Sequence, residues 1–422
     1  MPQSPSIADM DKTVAFVTLG CKLNYAETST MARSFEQRGY SRVEATQPAC
    51  IYVINTCSVT EHADKKCRNI IRRLHKLNPE ARIVVTGCYA QLKPEEIASL
   101  EGVYAVLGAK DKGRTVEVAT EGQGGVYNTP RADAVNFMGA YSTGERTRSF
   151  LKVQDGCDYF CTYCTVPLAR GASRNISIAE LTAQAEQIAA AGIKEVVLTG
   201  VNTGDFGRST SETFLDLIKA LDKVAGIERY RISSIEPNLL TDEIVDWIAS
   251  GTKFLPHFHI PLQSGCDRTL AAMHRRYDTA FFAQKVAYIR SKIDNVFFGI
   301  DVIAGFPGET DEDFMETYRF LEKIEPAFIH IFPYSRRTGT VAAKMKPQVQ
   351  ECVKTKRVQM LEELCARLHE SFCKANEGRH EQVLFESTDK GGRMFGYTRN
   401  YIRVERPFDS SQIGRIVDVV LP

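Results

Sequence analysis

The sequence has no charge of one dominant sign: 53 Lys and Arg stand against 52 Asp and Glu, a formal net charge of +1. That balance excludes a protein that holds nucleic acid through its overall field, so any phosphate contacts must come from local patches. It also has no apolar run near the roughly 20 residues that cross a bilayer, and no membrane partner is expected. The first residues, MPQSPSIADMDK, carry Asp9 and Asp11 and no apolar core. They do not read as a secretory signal, and a cytoplasmic location is the expectation. There is no low-complexity tract and no repeat beyond an alternation of strand and helix patterns. What the chain does have is cysteine, twelve of them. In a cytosolic chain of this length, metal binding or catalysis is a better reading of them than disulfides.

The 422 residues, 43% hydrophobic, suit two to three globular domains. Residues 12–120 alternate apolar strand patterns (14–19, 51–56, 82–87) with helical ones (25–39, 62–77, 94–100), which implies a parallel α/β domain. Residues 121–148 are rich in Gly, Thr and charge and read as a linker. A second alternating region, about 143–374, supplies candidate strands at 150–154, 195–200, 229–235, 254–260, 296–305 and 327–333. Helices are expected at 177–191, 211–224, 241–250, 278–292 and 311–323. Six units are two short of a full barrel and fit a partial (β/α)6 barrel, although period alone leaves a doubly wound open sheet as the alternative. Residues 347–377 read as one long amphipathic helix. The tail, 375–422, has short alternating segments with Gly and Asp turns and reads as a small antiparallel β module.

Cys157, Cys161 and Cys164, in DGCDYFCTYC, have the spacing C-x3-C-x2-C and follow the first barrel strand, where barrel enzymes place their chemistry. Three close thiols without a fourth fit structural zinc poorly. They suit an iron–sulfur cluster with one open metal position. Cys21, Cys57 and Cys88 are far apart, but each ends a predicted parallel strand, in TLGC, INTC and VTGC. Parallel strands share one carboxyl edge, so three strands deliver three thiols to one place. Buried free cysteines are the bland alternative. Cys50, Cys67, Cys266, Cys352, Cys365 and Cys373 have no such argument and read as structural.

GCKLNYAET, INTCSVTEHADKKCR, VVTGCYAQ, CTYCTVPLARG, HIPLQSG, DVIAGFPGET and HIFPYSRRTGT together resemble the radical S-adenosylmethionine (SAM) methylthiotransferase family over nearly the whole chain. The resemblance implies two [4Fe-4S] clusters. Cys157, Cys161 and Cys164 would hold the one that binds and cleaves SAM. Cys21, Cys57 and Cys88 would hold an auxiliary one carrying the sulfur to be methylated and delivered. It also implies a low-potential electron donor and a sulfur donor. Tyr163 would lie against the adenine, or serve as a packing aromatic. The turn at Gly200, in LTGVNTGDFG, lets backbone approach a ligand closely, here SAM. The superfamily's frequent Gly-Gly-Glu is missing, so the contact to the methionine amino group has no assigned residue. Glu236 is placed to accept from ribose hydroxyls, Gln263 follows the fourth strand, and Arg174 could pair with the methionine carboxylate. His257 and His259, two apart on a strand, read as hydrogen-bonding groups. No residue is assigned as a general acid or base.

Three subfamilies share these motifs. They act on threonylcarbamoyladenosine or isopentenyladenosine next to the tRNA anticodon, or on an aspartate of a ribosomal protein. GCKLNYAET with CTYCTVPLARG resembles the first most. The expected partner is a tRNA anticodon stem-loop and the expected product a methylthio group on carbon 2 of the modified adenosine at position 37. Basic patches at 65–76 and around Arg336 and Arg337 suit phosphates. The C-terminal module, which by resemblance is a TRAM substrate-binding domain, interleaves Arg393 and Arg399 with Tyr397, a pattern that suits unpaired RNA bases. A rival of another class is a non-catalytic iron–sulfur or zinc protein that binds RNA.

Overall fold

A computed structural model describes residues 12–58, 60–130, 137–144, 146–386 and 391–422. The N-terminal half-unit is a six-stranded sheet, parallel throughout, in the spatial order 41–43, 13–18, 51–56, 82–87, 103–108, 125–127. Its central strands are buried on both faces, as the continuous apolar runs IYVINT and RIVVTG require. Helices cover both faces. One spans Lys22–Gln37. Another, Glu61–Leu77, is capped by Thr60, has Glu61 and Asp64 in its first turn and His75 and Lys76 in its last, and so matches the helix dipole at both ends. The strand Val103–Gly108 falls outside the sequence expectation. It is a short apolar run entered through the turn at Gly102, which has φ +82°.

The chain reverses its direction of growth across this sheet between strands 13–18 and 51–56. Ligands gather at the carboxyl edge beside such a switch point. Cys21 and Cys57 follow those two strands and Cys88 follows the next.

The central unit places six parallel strands in sequence order: Arg148–Lys152, Glu195–Thr199, Arg229–Ile232, His257–Gln263, Phe297–Ala304 and Phe328–Pro333. Single bridges Tyr230–Phe254 and Ser234–His259 join the third strand to the fourth, so the two three-stranded halves form one curved wall. This is the partial barrel and not the open doubly wound sheet. The expected helices are present, three of them with capping boxes at Ser177, Thr213 and Thr310. The region read as a linker contributes two short strands. Gly125–Tyr127 extends the N-terminal sheet, and Ala140–Tyr141 pairs antiparallel with the first barrel strand. Residues 131–136 and 145 of it lie outside the described residues.

The long helix Glu351–Lys374 packs on the last barrel strand and leads to a four-stranded antiparallel sheet. This terminal sheet docks on the amino-terminal ends of the barrel strands. Arg231 donates to the carbonyls of Thr398 (2.7 Å) and Arg399 (3.0 Å), and Arg229 to that of Gln382 (2.9 Å). Among the described residues no helix is long and apolar enough to cross a membrane.

Candidate active site

The first triad sits on a loop fixed at several points. Cys157 N–H donates to Gly171 O and Cys164 N–H to Cys161 O, both at 3.0 Å. Between them Thr162 is held by Met273 O (3.1 Å), Ala272 O (2.9 Å) and the amide of Ala342 (2.8 Å). The three cysteines open into one cavity of about 330 Å³. Burial pushes the thiols of Cys157 and Cys164 up to about 12, so a metal must displace their protons to bind. Val166 N–H points at Cys164 Sγ (3.4 Å), the kind of donor that stabilises a bound thiolate.

Of the residues expected to bind cofactor, Tyr163, Glu236 and Gln263 line this cavity. They are organised by Arg275, which sequence reading passed over. Its guanidinium donates to Cys161 Sγ (3.2 Å), to the hydroxyls of Tyr163 (3.4 Å) and Tyr277 (2.9 Å), and pairs with Glu236. Burial raises the Glu236 carboxyl pKa in spite of that pairing. Asn202 and Asp301 complete the wall. Two expectations fail. Arg174 does not reach the cavity, because its charge is spent on Asp155 (3.1 Å) and on the carbonyl of Arg170 (2.7 Å) inside the protein. Gly200 packs against the Gln154 side chain, and its neighbours Val201 and Asn202 face the cavity instead.

The second triad depends on close approach of strand ends. Gly20 has φ +97°, and a Cβ there would collide with the Cys57 side chain. Gly87 has φ +106° and would strike the Thr56 backbone. Glycine at both positions lets the three strand ends meet. Cys21 is the N-cap of the helix Lys22–Gln37 but makes no capping bond, which leaves its thiol free and exposed. Behind this triad lies a buried ion cluster in which four cations meet two carboxylates. Glu27 binds Lys112, Lys152 (2.8 Å) and Arg170 (3.3 Å), and Asp155 binds Lys152 (2.9 Å), Arg170 (2.9 Å) and Arg174. Burial alone would raise both acids, but the cations hold them well below the usual carboxylate range. Cys21 and Cys88 add to the field on Arg170. A buried excess of positive charge facing three thiols fits an anionic group held by thiolates.

A larger cavity, about 710 Å³, runs from Cys21 into the barrel lumen. His259 and His330 line it, while Asp301 lines the cavity of the first triad. His259 Nε2 and Asp301 Oδ1 are 2.7 Å apart, so the two cavities meet across one hydrogen-bonded pair.

The residues expected to meet RNA divide. The face of Glu61–Leu77 carrying Lys65, Lys66 and Arg73 is exposed, as are Arg336, Arg393 and Arg399. Arg393 pairs with Glu405 at 2.6 Å. Arg337 is the exception. It is buried and bonded to Ser58 (2.6 Å) and Asp64 (2.8 Å), tying the barrel to the loop after Cys57. Tyr397 is no open platform for a base either, because it stacks on Tyr401 at 4.7 Å with Arg148 over its ring at 4.8 Å. Of the other cysteines, Cys352 is exposed, while Cys50 on Thr13 O (2.9 Å) and Cys365 against Ile329 pack within the protein.

Comparison with known proteins agrees with this geometry. Residues 13–108 match the family described as uncharacterized protein family UPF0004, and residues 151–321 match the radical SAM superfamily. Among solved structures, the radical SAM methyltransferase TsrM from Kitasatospora setae superposes with a TM-score of 0.59 over 78% of this chain and 77% of its own, at 15% identity, which speaks for the fold. The fold and the first site define a radical SAM enzyme, a class that carries a [4Fe-4S] cluster and uses SAM. The threonylcarbamoyladenosine tRNA methylthiotransferases MtaB of Bacillus subtilis and Aquifex aeolicus are 41% and 37% identical to it. They cover 96% and 97% of this chain and 93% and 100% of their own. The tRNA-2-methylthio-N(6)-dimethylallyladenosine synthase of Carboxydothermus hydrogenoformans is 32% identical over 97% of this chain and 96% of its own. The chain belongs to the radical SAM methylthiotransferase family and is an enzyme that transfers sulfur-containing groups.

Proposed function

We propose that this enzyme adds a methylthio group to carbon 2 of N6-threonylcarbamoyladenosine at position 37 of tRNA, using two [4Fe-4S] clusters. The observation that carries this reading is that the first cysteine triad and Cys21 of the second open on two cavities that meet at the hydrogen-bonded pair His259 and Asp301. Cys157, Cys161 and Cys164 hold the cluster that supplies the electron for SAM cleavage, and Cys21, Cys57 and Cys88 hold the auxiliary cluster that carries the sulfur. The chain's own residues position and shield. Arg275 donates to the sulfur of Cys161 and holds Glu236, which would accept from the SAM ribose, while the partly buried Tyr163 helps shield the site from water. The threonylcarbamoyl substrate is favoured by the relatives at 34–41% identity that bear that name, against 32–33% for the dimethylallyl enzymes. In this reading residues 12–120, 143–374 and 375–422 are the auxiliary-cluster, radical SAM and tRNA-binding units. The enzyme works in the cytoplasm with a low-potential electron donor and a separate sulfur donor.

The test is anaerobic reconstitution with iron and sulfide, then dithionite, SAM and hypomodified tRNA, with mass spectrometry of the nucleosides. A methylthio gain on threonylcarbamoyladenosine is expected. A gain on isopentenyladenosine instead would overturn the substrate, and about eight irons per chain with no SAM cleavage would overturn the chemistry.

A further inference from the structure

The 710 Å³ cavity beside Cys21 has no acidic residue in its lining, yet Lys22, Arg42, Arg146, Arg148 and Arg231 all contribute to it. Two of these charges are already met from behind the wall: Arg231 by Glu195 at 2.7 Å, and Arg148 by Glu386 at 3.0 Å. Lys22 differs. It is exposed at the cavity's edge, and among the described residues no carboxylate lies within ion-pair distance of it: Asp301 and the Tyr401 hydroxyl act on it only from further off, against Arg148, Arg231, His257 and His330. A cation gathered with other cations in a walled site gains from an anionic ligand and loses from a neutral one. The cavity is far larger than a lone ion needs and is in the range that holds a nucleoside-sized group. It also begins at Cys21 and ends at His259, which hydrogen-bonds the wall of the other cavity. A molecule lodged there therefore lies between the two cysteine triads.

We infer that this cavity receives the threonyl side of the modified base and that Lys22 binds its carboxylate, so that Lys22 is a specificity-determining residue. This rests on the substrate reading above. An N6-threonylcarbamoyl group carries a free carboxylate and a hydroxyl, whereas an isopentenyl group carries only hydrocarbon. A hydrocarbon tail in this cavity would cover the Lys22 ammonium and take it from water without supplying a counter-charge of its own. The Tyr401 ring, 4.7 Å from the Arg231 guanidinium, also lines the cavity.

The test compares short anticodon stem-loop RNAs carrying threonylcarbamoyladenosine, its threonyl methyl ester, or plain adenosine. Binding to the reconstituted holoenzyme is measured anaerobically with SAM and without reductant. The wild-type enzyme is expected to bind the acid about tenfold tighter than the ester, the scale of one charge-assisted hydrogen bond. Lys22→Met should erase most of that difference while leaving the ester and plain adenosine as they were, and Lys22→Arg should restore it. If Lys22→Met weakens all three RNAs alike, the cavity takes a backbone phosphate and the assignment falls. Equal wild-type affinity for acid and ester overturns it without any variant. Turnover separates the two levels. A wild-type enzyme that methylthiolates the acid but binds both forms equally refutes only the pocket, whereas one that leaves threonylcarbamoyladenosine unmodified refutes the substrate as well.

Discussion

The two cysteine triads reach similar ends by opposite routes. Cys157, Cys161 and Cys164 lie within one loop, and the loop's own hydrogen bonds to Gly171, Met273 and Ala342 hold them. Cys21, Cys57 and Cys88 come from three strands, and only the sheet order and two glycines bring them together. A loop site is written locally and can be read from spacing. A strand-end site is written in the topology, and its integrity depends on the fold around it.

Single-cysteine variants break the comparison most sharply. Cys161→Ala should lose about four irons and all SAM cleavage. Cys57→Ala should also lose about four irons but still form 5′-deoxyadenosine while making no methylthio product. Iron analysis and chromatography of both reactions check this, and a Cys57→Ala enzyme that cannot cleave SAM would mean that the sites are not separable. Next in size is Glu27→Gln, which touches neither triad. It takes from Lys112 the carboxylate it pairs with and leaves Asp155 to pair with Lys152 and Arg170. It should cost about 3–5 kcal/mol of stability and, because these cations back the auxiliary triad, retention of its iron as well. Arg393→Gln, which breaks only an exposed pair, should cost under about 1 kcal/mol in the same denaturation experiment.

A pH-dependent effect is expected in the lumen between the triads. Burial, aided by His259, lowers the His330 pKa from 6.5 to about 4. His330 is therefore neutral in the folded protein across a window where the unfolded chain takes up a proton. Its contribution to stability is complete above about pH 6.5 and declines as the pH falls toward 4. Replacing His330 by Asn should flatten that part of the stability–pH curve. An unchanged slope would assign the acid sensitivity to other groups.

The same contrast explains what could be read from the residues alone. Strand and helix positions emerged because apolar period is local. The loop triad was suggested by its spacing, and the dispersed triad by the rule that parallel strands share a carboxyl edge, which left buried free cysteines as the alternative until the family resemblance pointed to a second cluster. Arg275 did not emerge, because it reaches Cys161 from 114 residues away and nothing adjacent to it marks that contact. Arg174 and Arg337 were misplaced for a related reason. An arginine near a motif or in a basic run looks available, but Arg174 is taken by Asp155, 19 residues back, and Arg337 by Asp64, 273 residues back. The cavity at Lys22 was equally hidden, since the absence of acids around a cation is a property of the folded wall.

The ion cluster of Glu27, Lys112, Lys152, Asp155, Arg170 and Arg174 has a consequence for how such enzymes can exchange parts. Glu27 and Lys112 belong to the N-terminal unit, and the other four to the barrel. An N-terminal unit transplanted onto a foreign barrel would bring a buried carboxylate and ammonium to a surface that does not answer them. The two units are thus matched like key and ward, and a working hybrid must inherit all six positions together.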